Sequence, residues 1–297
     1  MSQAAPDPET DVQPETLVET LQLERIEENL FRGTSPDTQP GRIFGGQVIA
    51  QSLLAAYETI EARVCHSLHA YFIRPGDPTV PIVFEVDRSR DGGSFTTRRV
   101  IAVQHGKQIF NLAASFKAPE TGFSHQATMP PGPHWRELRD QREVLAELMK
   151  DAPEEAKRWL KRPMPIEMRS QDARTYWRDG PKEPVSQNWF RCSTPIGDDP
   201  RMHQVILAYA SDMNLLSTAM RPYGVHWQTP GFQSASLDHA MWFHRPTDFN
   251  KWHLYAHDSP SASDGRGLIR GAIYAEDGTL VASVAQEGLM RMRKPQG

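Results

Sequence analysis

An aspartate stands in a run that is otherwise mostly apolar, Ile206 to Ser217 (ILAYASDMNLLS). Burying an ionised carboxylate is costly unless it is paired or hydrogen-bonded. If the run is helical, the residues on the same face as Asp212 are apolar, so its carboxylate is expected to face the core or a cleft. One interpretation is that Asp212 caps a helix break together with Asn214. The other is a carboxylate held in a pocket for chemistry.

Two more polar residues stand where the strand pattern favours other types. In the last predicted strand, alternation places Gln286 on the apolar face that carries Ala282 and Val284. A buried amide without partners costs roughly 1–3 kcal/mol, so Gln286 is either a structural amide bonded to a loop or part of a site. Ser236, in the stretch SASLDHAMWFHRP, is either an ordinary strand serine or a hydroxyl of the same site.

The same stretch carries charged and imidazole groups. Alternation places Ser236 and Asp238 on one face of a strand and His239 on the other. Asp238 and His239 are therefore not expected to form an acid/base pair. With His244 and Arg245, they are interpreted as sheet-surface or ligand-facing groups.

Other chemistries lack their signatures. The chain has no G-x-S-x-G nucleophile elbow and no P-loop. Cys65 and Cys192 lie far apart, in no C-x-x-C spacing, which fits a reducing compartment. His66 and His69 are three residues apart on a predicted strand and point to opposite faces. We therefore predict no metal site and no cofactor.

Composition excludes further classes. The 297 residues carry a formal net charge of -4, with 38% hydrophobic and 24% charged residues, as in ordinary soluble proteins. The mild acidity argues against a nucleic-acid partner, because phosphate binding requires a strongly basic face. No apolar run approaches the roughly 20 residues of a membrane helix. The acidic start, MSQAAPDPETDVQPET, is unlike a signal peptide, so we expect a cytoplasmic protein with a disordered tail over residues 1–16.

The predicted elements occur in the same order in both halves of the chain. Leu17 to Phe31 is predicted to be an amphipathic helix, and F44-GGQVIAQSLLAAYETI a buried one. Strand-like runs follow, separated by glycine-containing turns. Later in the chain, the strand-like NWFRCST precedes a helix from His203 to Ser217 and a second series of strands. A helix followed by strands indicates an α+β unit in which the helix packs on an antiparallel sheet.

Short alignments indicate that this unit is duplicated. H69-AYFIRPGD resembles H239-AMWFHRPTD with one residue inserted, and QHGKQIFNLAASF resembles EDGTLVASVAQEG. The alignment places Gln286 opposite Ala114 and Asp212 near Ala55. Because the polar groups occur in the second copy alone, we predict one active centre per pair of repeats.

The predicted domain organisation follows from the duplication. Residues 17–117 form an N-terminal repeat and residues 186–297 a C-terminal repeat, which pair as a pseudo-dimer. Residues 118–185 are interpreted as a connector lying on the surface, because the segment is rich in proline and then dense in charge.

Longer motifs in both halves resemble the bacterial acyl-CoA thioesterase II family. The resemblance runs from about Leu23 to Arg291. It implies a double hotdog fold of the α+β class, hydrolysis of fatty acyl-CoA to free fatty acid and CoA, and assembly into a homodimer or homotetramer. The motifs that carry it are L23-ERIEENLFRG, F44-GGQVIAQSLLAA, H66-SLHAYFIRPGD, D91-GGSFTTRRV, H203-QVILAYASDMN, L237-DHAMWFHRP and Q286-EGLMR.

The resemblance also implies roles for three residues. In the family, an aspartate on the second hotdog helix, a threonine two residues before the D-H-x-x-W-F-H-R-P aspartate, and a glutamine before E-G hold the catalytic water. These positions are Asp212, Ser236 and Gln286 here, and Ser236 departs from the usual threonine. Asp212 would orient the water and accept its proton without an acyl-enzyme. Ser236 and Gln286 would bond the water or the carboxylate, or Gln286 would polarise the thioester carbonyl.

Two other functions fit the sequence less well. A hotdog enoyl-CoA hydratase would carry a histidine about five residues after the helix aspartate, whereas position 217 is serine and no histidine lies between Asp212 and Met220. A non-catalytic acyl-CoA sensor would not need the aspartate, hydroxyl and amide. The basic residues considered for CoA phosphates, by type alone, are Arg74, Arg98, Arg245 and Arg270.

Overall fold

The first half of the chain forms a long helix and a set of antiparallel strands. The structure, a computed structural model, describes residues 16–36, 41–151, 164–171, 180–227 and 229–293. The elements of the first half are α1 (Leu17–Leu21), β1 (Leu23–Glu27), β2 (Leu30–Gly33), α2 (Gly45–Tyr57), β3 (Val64–Phe72), β4 (Ile82–Asp91), β5 (Phe95–Gln104) and β6 (Lys107–Lys117).

The second half repeats this arrangement after an intervening segment. That segment contains a 3-10 turn (Trp135–Glu137), α3 (Gln141–Leu148) and β7 (Ile166–Ser170). The remaining elements are β8 (Val185–Cys192), α4 (Pro200–Ser211), α5 (Ser217–Met220), a 3-10 turn (Arg221–Tyr223), β9 (Phe232–Ser236), β10 (Asp238–Phe243), β11 (His253–Ser263), β12 (Arg266–Ala275) and β13 (Leu280–Met292).

Both halves contribute their strands to one continuous sheet. Its order is β1-β2-β4-β5-β6-β3 for the first half, then β10-β13-β12-β11-β8-β7 for the second, and β9 pairs with β13. The halves meet where β3 and β10 run antiparallel, with Leu68 opposite Met241. The predicted α+β pseudo-dimer of two helix-plus-sheet repeats is therefore confirmed.

The two long helices pack on each other, and α2 also packs on the sheet. Every residue of α2 after Gly45 is buried, as its all-round apolar sequence predicts. The Phe44 ring lies 5.0 Å from the Tyr209 ring of α4, in an edge-on contact. Burying one leucine such as Leu53 contributes about 2 kcal/mol, so the helix is held mainly by its core contacts.

The predicted helix over Leu17–Phe31 is wrong beyond Leu21. After α1 the chain forms the β1–β2 hairpin, and β2 joins the sheet with Phe31 opposite Phe84. Phe31 is fully buried by this pairing. The gain from burying it in the sheet overrides the helical propensity of the intervening Leu, Glu and Arg residues.

The helix that carries Asp212 also differs from the prediction of His203 to Ser217. It begins earlier, because the Asp199 carboxylate accepts a hydrogen bond from the Arg201 N–H and Pro200 occupies the first turn. It ends at Ser211, and Asp212 is its C-cap residue. Asn214 adopts a left-handed conformation with φ of 59°, which stops the helix.

The predicted connector, residues 118–185, does not lie wholly on the surface, because parts of it join the sheet and an apolar cluster. Its strand β7 extends the sheet beside β8. Its Trp135 stacks on Trp252, with 5.1 Å between ring centroids, and joins an apolar cluster with Trp189 and Tyr274 on the second repeat. Residues 152–163 and 172–179 of the connector lie outside the described residues, as do residues 1–15 of the predicted tail.

Two general features bear on the chemistry. No helix within the described ranges is both long and apolar enough to cross a membrane. Cys65 and Cys192 are both free and buried. Burial raises the pKa of both thiols, so neither is an activated nucleophile.

Candidate active site

A cleft of about 540 Å³ opens where α2 begins and α4 ends. Asp212, Ser236 and Gln286 all line it, and Arg42 and Arg74 stand at its exposed rim. Most of the remaining wall is apolar and comes from Phe44, Val48, Phe72, Ile109, Phe110, Leu215, Leu216 and Trp227.

The three polar residues singled out from the sequence meet in this cleft. The Gln286 Nε2 group donates to Ser236 Oγ at 2.9 Å. The Ser236 hydroxyl points in turn at Asp212 Oδ1, at a long distance of 3.5 Å. Gln286 is 1% exposed, so its amide depends on these partners for its hydrogen bonds.

An extra residue in the strand opposite β13 brings Ser236 to this face. Ser236 pairs with Gly288, whereas Ala240 pairs with Ala285. Between these pairs the β9–β10 side advances four residues and β13 only three, which is a β-bulge at the break between the two strands. The alternation-based prediction that Ser236 and His239 face opposite sides is therefore wrong. Both contact the Gln286 side chain.

Two glycines let the start of α2 approach the carboxylate. A Cβ on Gly45 would stand 2.6 Å from Asp212 Oδ2, and one on Gly46 would stand 2.3 Å from the Tyr209 carbonyl oxygen. The Gly46 backbone N–H favours the ionised form of Asp212 and so lowers its pKa. Residues larger than glycine would therefore push α2 away from α4. The N-terminal end of a helix also favours a nearby negative charge.

The surroundings place the Asp212 carboxyl close to its protonation midpoint at neutral pH. Burial raises its pKa from the ordinary 3.8 to about 7. Hydrogen bonds from Gln286, the Gly46 N–H and Ser236 oppose that rise, as does the positive charge of Arg42. A carboxylate with a pKa near the working pH is well suited to accept a proton.

A fourth polar residue extends the network behind Gln286. His239 has no exposed surface. Its Nδ1 lies 2.6 Å from Gln286 Oε1, and its Nε2 lies 2.9 Å from the Ser211 hydroxyl. Burial lowers the pKa of His239 to about 4, so the ring is neutral. The interpretation of His239 as a sheet-surface or ligand-facing group is therefore wrong.

Two family models match the chain. One, described as acyl-CoA thioesterase, covers residues 165–289, and the other, described as acyl-CoA thioesterase N-terminal domain, covers residues 34–117. Acyl-CoA thioesterase 2 of Haemophilus influenzae is 39% identical over 277 residues, which is 93% of this chain and 96% of that protein. The chain belongs to the acyl-CoA thioesterase II family.

Solved structures agree with this membership. Acyl-CoA thioesterase II TesB2 of Mycobacterium marinum superposes with a TM-score of 0.74 at 39% identity, over 94% of this chain and 99% of that one. A hotdog-fold protein from Alicyclobacillus acidocaldarius, at 19% identity, reaches a TM-score of 0.73 over 93% and 97% of the two chains, which bears on the fold alone. The predicted family, double hotdog fold and thioester hydrolase class are confirmed.

Serine at position 236, where the family resemblance implies threonine, preserves the hydroxyl. Ser236 Oγ accepts from Gln286 and donates toward Asp212, as a threonine hydroxyl would. The lost methyl group frees rotation about χ1, because β-branched residues are restricted there. The departure therefore affects how firmly the hydroxyl is held, and leaves its bonding pattern intact.

The basic residues proposed to bind CoA phosphates lie in different environments in the structure. Arg98 is 2% exposed and bonds to Thr59 and Asp91, so it cannot serve this thioesterase as a ligand group. Arg245 donates to the Leu280 carbonyl and to Ser124 of the connector, and Arg270 pairs with Asp258. Arg74 remains at the cleft, and Arg42 joins it there. Sequence type alone did not single out Arg42.

Other polar residues have structural partners outside the cleft. Asp238 accepts a hydrogen bond from the Glu287 N–H at 2.7 Å, and His244 contacts the Ser283 hydroxyl at 2.8 Å. His66 lies 2.8 Å from the Ser115 hydroxyl. In the part of the chain that the structure describes, no group of three or more His, Cys, Asp or Glu residues is arranged to hold a metal ion.

Proposed function

We propose that this chain hydrolyses fatty acyl-CoA to free fatty acid and CoA by direct attack of water, with Asp212 as the general base. The observation that carries the proposal is a carboxylate with a raised pKa in a largely apolar cleft. A hydroxyl and an amide that are themselves bonded together hold that carboxylate. The same cleft, with a volume of about 540 Å³, offers an apolar wall for an acyl chain beside the carboxylate.

The proposed reaction begins with a water molecule held between Asp212 and the thioester carbonyl. As the water oxygen bonds to the carbonyl carbon, Asp212 accepts one of its protons. The resulting tetrahedral intermediate collapses, the carbon–sulfur bond breaks, and the electron pair leaves on sulfur. The protonated Asp212 returns its proton to the CoA thiolate. The products are a free acid and CoA, and no acyl-enzyme forms.

Gln286 serves the carboxylate side of the reaction in this proposal. Its Oε1 is engaged by His239, and one Nε2 proton is donated to Ser236. Its amide also acts on Asp212, where it lowers the pKa of the carboxyl. In this proposal the second N–H group therefore serves the carboxylate rather than the thioester carbonyl. The positive end of the α2 helix dipole, at Gly45, is better placed to stabilise the oxyanion.

The two ends of the substrate are assigned by the chemistry of the cleft. The apolar wall formed by residues such as Val48, Phe72 and Phe110 would hold the acyl chain. Arg42 and Arg74 at the rim would bind CoA phosphates, because guanidinium groups pair well with phosphate oxygens. The cleft therefore accounts for both parts of an acyl-CoA.

Assembly and location complete the proposal. We propose a homodimer or homotetramer, supported by large apolar side chains that stand exposed on the first repeat: Tyr71, Ile73 and Phe95 are 59%, 45% and 44% exposed. Size-exclusion chromatography with light scattering tests it, and a monomer at micromolar concentration would contradict it. We also propose a cytoplasmic location, supported by the unpaired Cys65 and Cys192. Fractionation of cells tests this location.

The decisive experiment measures thiol release from a panel of acyl-CoAs of different chain lengths. The wild type should release CoA, and Asp212→Asn should be about 10²- to 10⁴-fold slower with acyl-CoA binding retained. Asp198→Asn, an exposed aspartate near the start of α4, is the matched control and should leave turnover unchanged. Binding without turnover in the wild type would indicate an acyl-CoA sensor. Equal turnover in wild type and Asp212→Asn would exclude Asp212 as the base.

A further inference from the structure

The buried pair His239 and Gln286 has an apolar counterpart in the first repeat. The hairpin alignment matches Gln286 with Ala114, and Leu68 lies directly opposite Ala114 across β3 and β6. Leu68 and Ala114 are fully buried, as are His239 and Gln286. Equivalent buried positions are therefore occupied by leucine and alanine in the first repeat and by histidine and glutamine in the second.

The strand registers thus match His239 with Leu68, one residue away from the His69 that the sequence alignment offered. His69 is exposed and packs on Trp242, with 5.3 Å between the rings. Burying a histidine and an amide costs free energy unless both are hydrogen-bonded. Since the first copy folds with an apolar pair at this place, the fold itself does not require the polar pair.

Hydrogen-bond chemistry fixes the state of the ring in a working site. Asp212 and its hydroxyl partner need N–H donors, so the Gln286 amide must present Nε2 to the cleft and Oε1 to His239. Oε1 is an acceptor only, so His239 Nδ1 must carry the proton. The ring is neutral, so Nε2 is bare and accepts from the Ser211 hydroxyl.

We propose that His239 is a positioning residue that locks the Gln286 amide with its N–H groups toward Ser236 and Asp212. This inference rests on the proposed function of Asp212 as the general base. The hydrogen bonds run from Ser211 through His239, Gln286 and Ser236 to Asp212, and so begin and end at adjacent residues of α4. A rotated amide would aim its oxygen at the carboxylate and withdraw a donor from it.

The opposite proton arrangement makes a different prediction. Ser211 Oγ also lies 2.8 Å from the Ala208 carbonyl oxygen. If the Ser211 hydroxyl donated its proton to the Ala208 carbonyl, His239 would donate from Nε2 and Nδ1 would carry no proton. The Gln286 amide would then turn its oxygen to the cleft. The two arrangements differ in which ring nitrogen matters, so replacements that mimic one nitrogen each can separate them.

Three variants of His239 form the test. His239→Asn keeps a donor at the Nδ1 position, His239→Gln reaches the Nε2 position instead, and His239→Leu installs the residue that the first repeat carries there. We expect His239→Leu and His239→Gln to lower kcat on the order of 10²-fold, because the donors at Asp212 become misplaced. KM should change less than about twofold, since no substrate contact is lost. His239→Asn should keep most of the wild-type kcat.

The pH profile adds a readout that a purely structural role would not move. Loss of the Gln286 donor removes a contact that favours the ionised carboxylate, so the acid limb of kcat/KM should move to higher pH in His239→Leu and His239→Gln. It should stay in place in His239→Asn. The other ionisable groups that act on Asp212, namely Arg42, Tyr209 and Tyr255, are the same in all three variants.

The outcomes separate this inference from the proposed function. Asp212→Asn is assayed alongside; if it turns over like the wild type, the proposed function fails. If Asp212→Asn is inactive but all His239 variants match the wild type, the positioning role alone fails. Turnover retained by His239→Gln and lost by His239→Asn would establish the opposite proton arrangement and overturn the proposal. Equal losses in all three would mean that the ring only fills space. Because asparagine and glutamine are both polar, that comparison stands even if His239→Leu fails to fold.

Discussion

Gly45 stands directly against the Asp212 carboxylate, so close that a Cβ on Gly45 would lie 2.6 Å from Oδ2. The contact joins the start of α2, in the first repeat, to the end of α4, in the second. The proposed active centre is therefore built from both repeats. The two-glycine motif after Phe44 serves this close approach, because the N-terminal end of a helix can then face the carboxylate.

We predict that Gly45→Ala lowers kcat on the order of 10²-fold while the protein stays folded. The new methyl group must displace either Asp212 or the first turn of α2, and a displacement near 1 Å is enough for such a loss. The measurement is kcat for thiol release, together with the thermal unfolding midpoint. Gly93→Ala is the control, because a Cβ there meets no atom within 4 Å. Unchanged turnover in Gly45→Ala would show that the contact has no catalytic consequence.

The pH dependence of the reaction should follow the ionisation of Asp212. Burial raises the pKa of this carboxyl to about 7, and only the ionised form accepts a proton. We therefore expect kcat/KM to rise about tenfold per pH unit below pH 6, with a midpoint close to 7 and a plateau above pH 8. His239 cannot produce this limb, because burial lowers its pKa to about 4. A flat profile between pH 5.5 and 8.5 would rule out Asp212 as the titrating base.

Two substitutions of Ser236 separate the effect of removing its hydroxyl from the effect of restricting the rotation of that hydroxyl. Ser236→Ala removes the group between Gln286 and Asp212, and we expect kcat to fall about 10²-fold. Ser236→Thr keeps the hydroxyl and restricts its rotation, so kcat should equal or exceed that of the wild type. Both are measured at saturating acyl-CoA. Similar kcat values for the alanine and threonine variants would show that the hydroxyl is not used.

Much of the fold could be predicted from hydrophobic periodicity. The strands from β3 to β6, the helix α2 and the duplication all follow from period-2 and helical patterns that the tertiary structure respects. The first hairpin could not be predicted in this way. Its residues favour a helix locally, and only the pairing of Phe31 with Phe84 across the sheet makes a strand more stable.

The site was predictable in its members and only partly in its geometry. Asp212 and Gln286 were visible as polar residues on apolar faces, which is a signal that one sequence carries. The bulge after Ser236 was not visible, because a single extra residue leaves no mark in an alternating pattern. Because of that bulge, alternation alone assigns His239 to the wrong face of the strand. Its inward direction follows from the strand register. With the position of the bulge known, His239 is an inward-facing histidine and therefore a candidate site residue.

The raised pKa of Asp212 also has a consequence for stability. In the unfolded chain the carboxyl has its ordinary pKa of 3.8, and in the folded protein its pKa is about 7. Between these values the folded state holds a proton that the unfolded state has released. The free energy of unfolding should therefore fall as pH rises from about 4 to 7 and level off above that. Ionisation of Asp212 therefore lowers the free energy of unfolding, and this destabilisation is complete only when the carboxyl is fully ionised.

Removing the charge should remove that destabilisation. We predict that Asp212→Asn raises the unfolding free energy at pH 8 on the order of 4 kcal/mol, which corresponds to a midpoint roughly 8 °C higher. At about pH 3.5 the wild-type carboxyl is largely protonated in both the folded and the unfolded state and resembles the amide, so the two midpoints should nearly coincide. Thermal unfolding of both proteins across the range from about pH 3.5 to about pH 8 measures the difference. Asp198→Asn, at an exposed position, should show no such widening with pH. A difference in unfolding midpoint between Asp212→Asn and the wild type that is constant at every pH would mean that the carboxyl has the same pKa in the folded and the unfolded protein. The physical basis for its role as a base near neutral pH would then be removed.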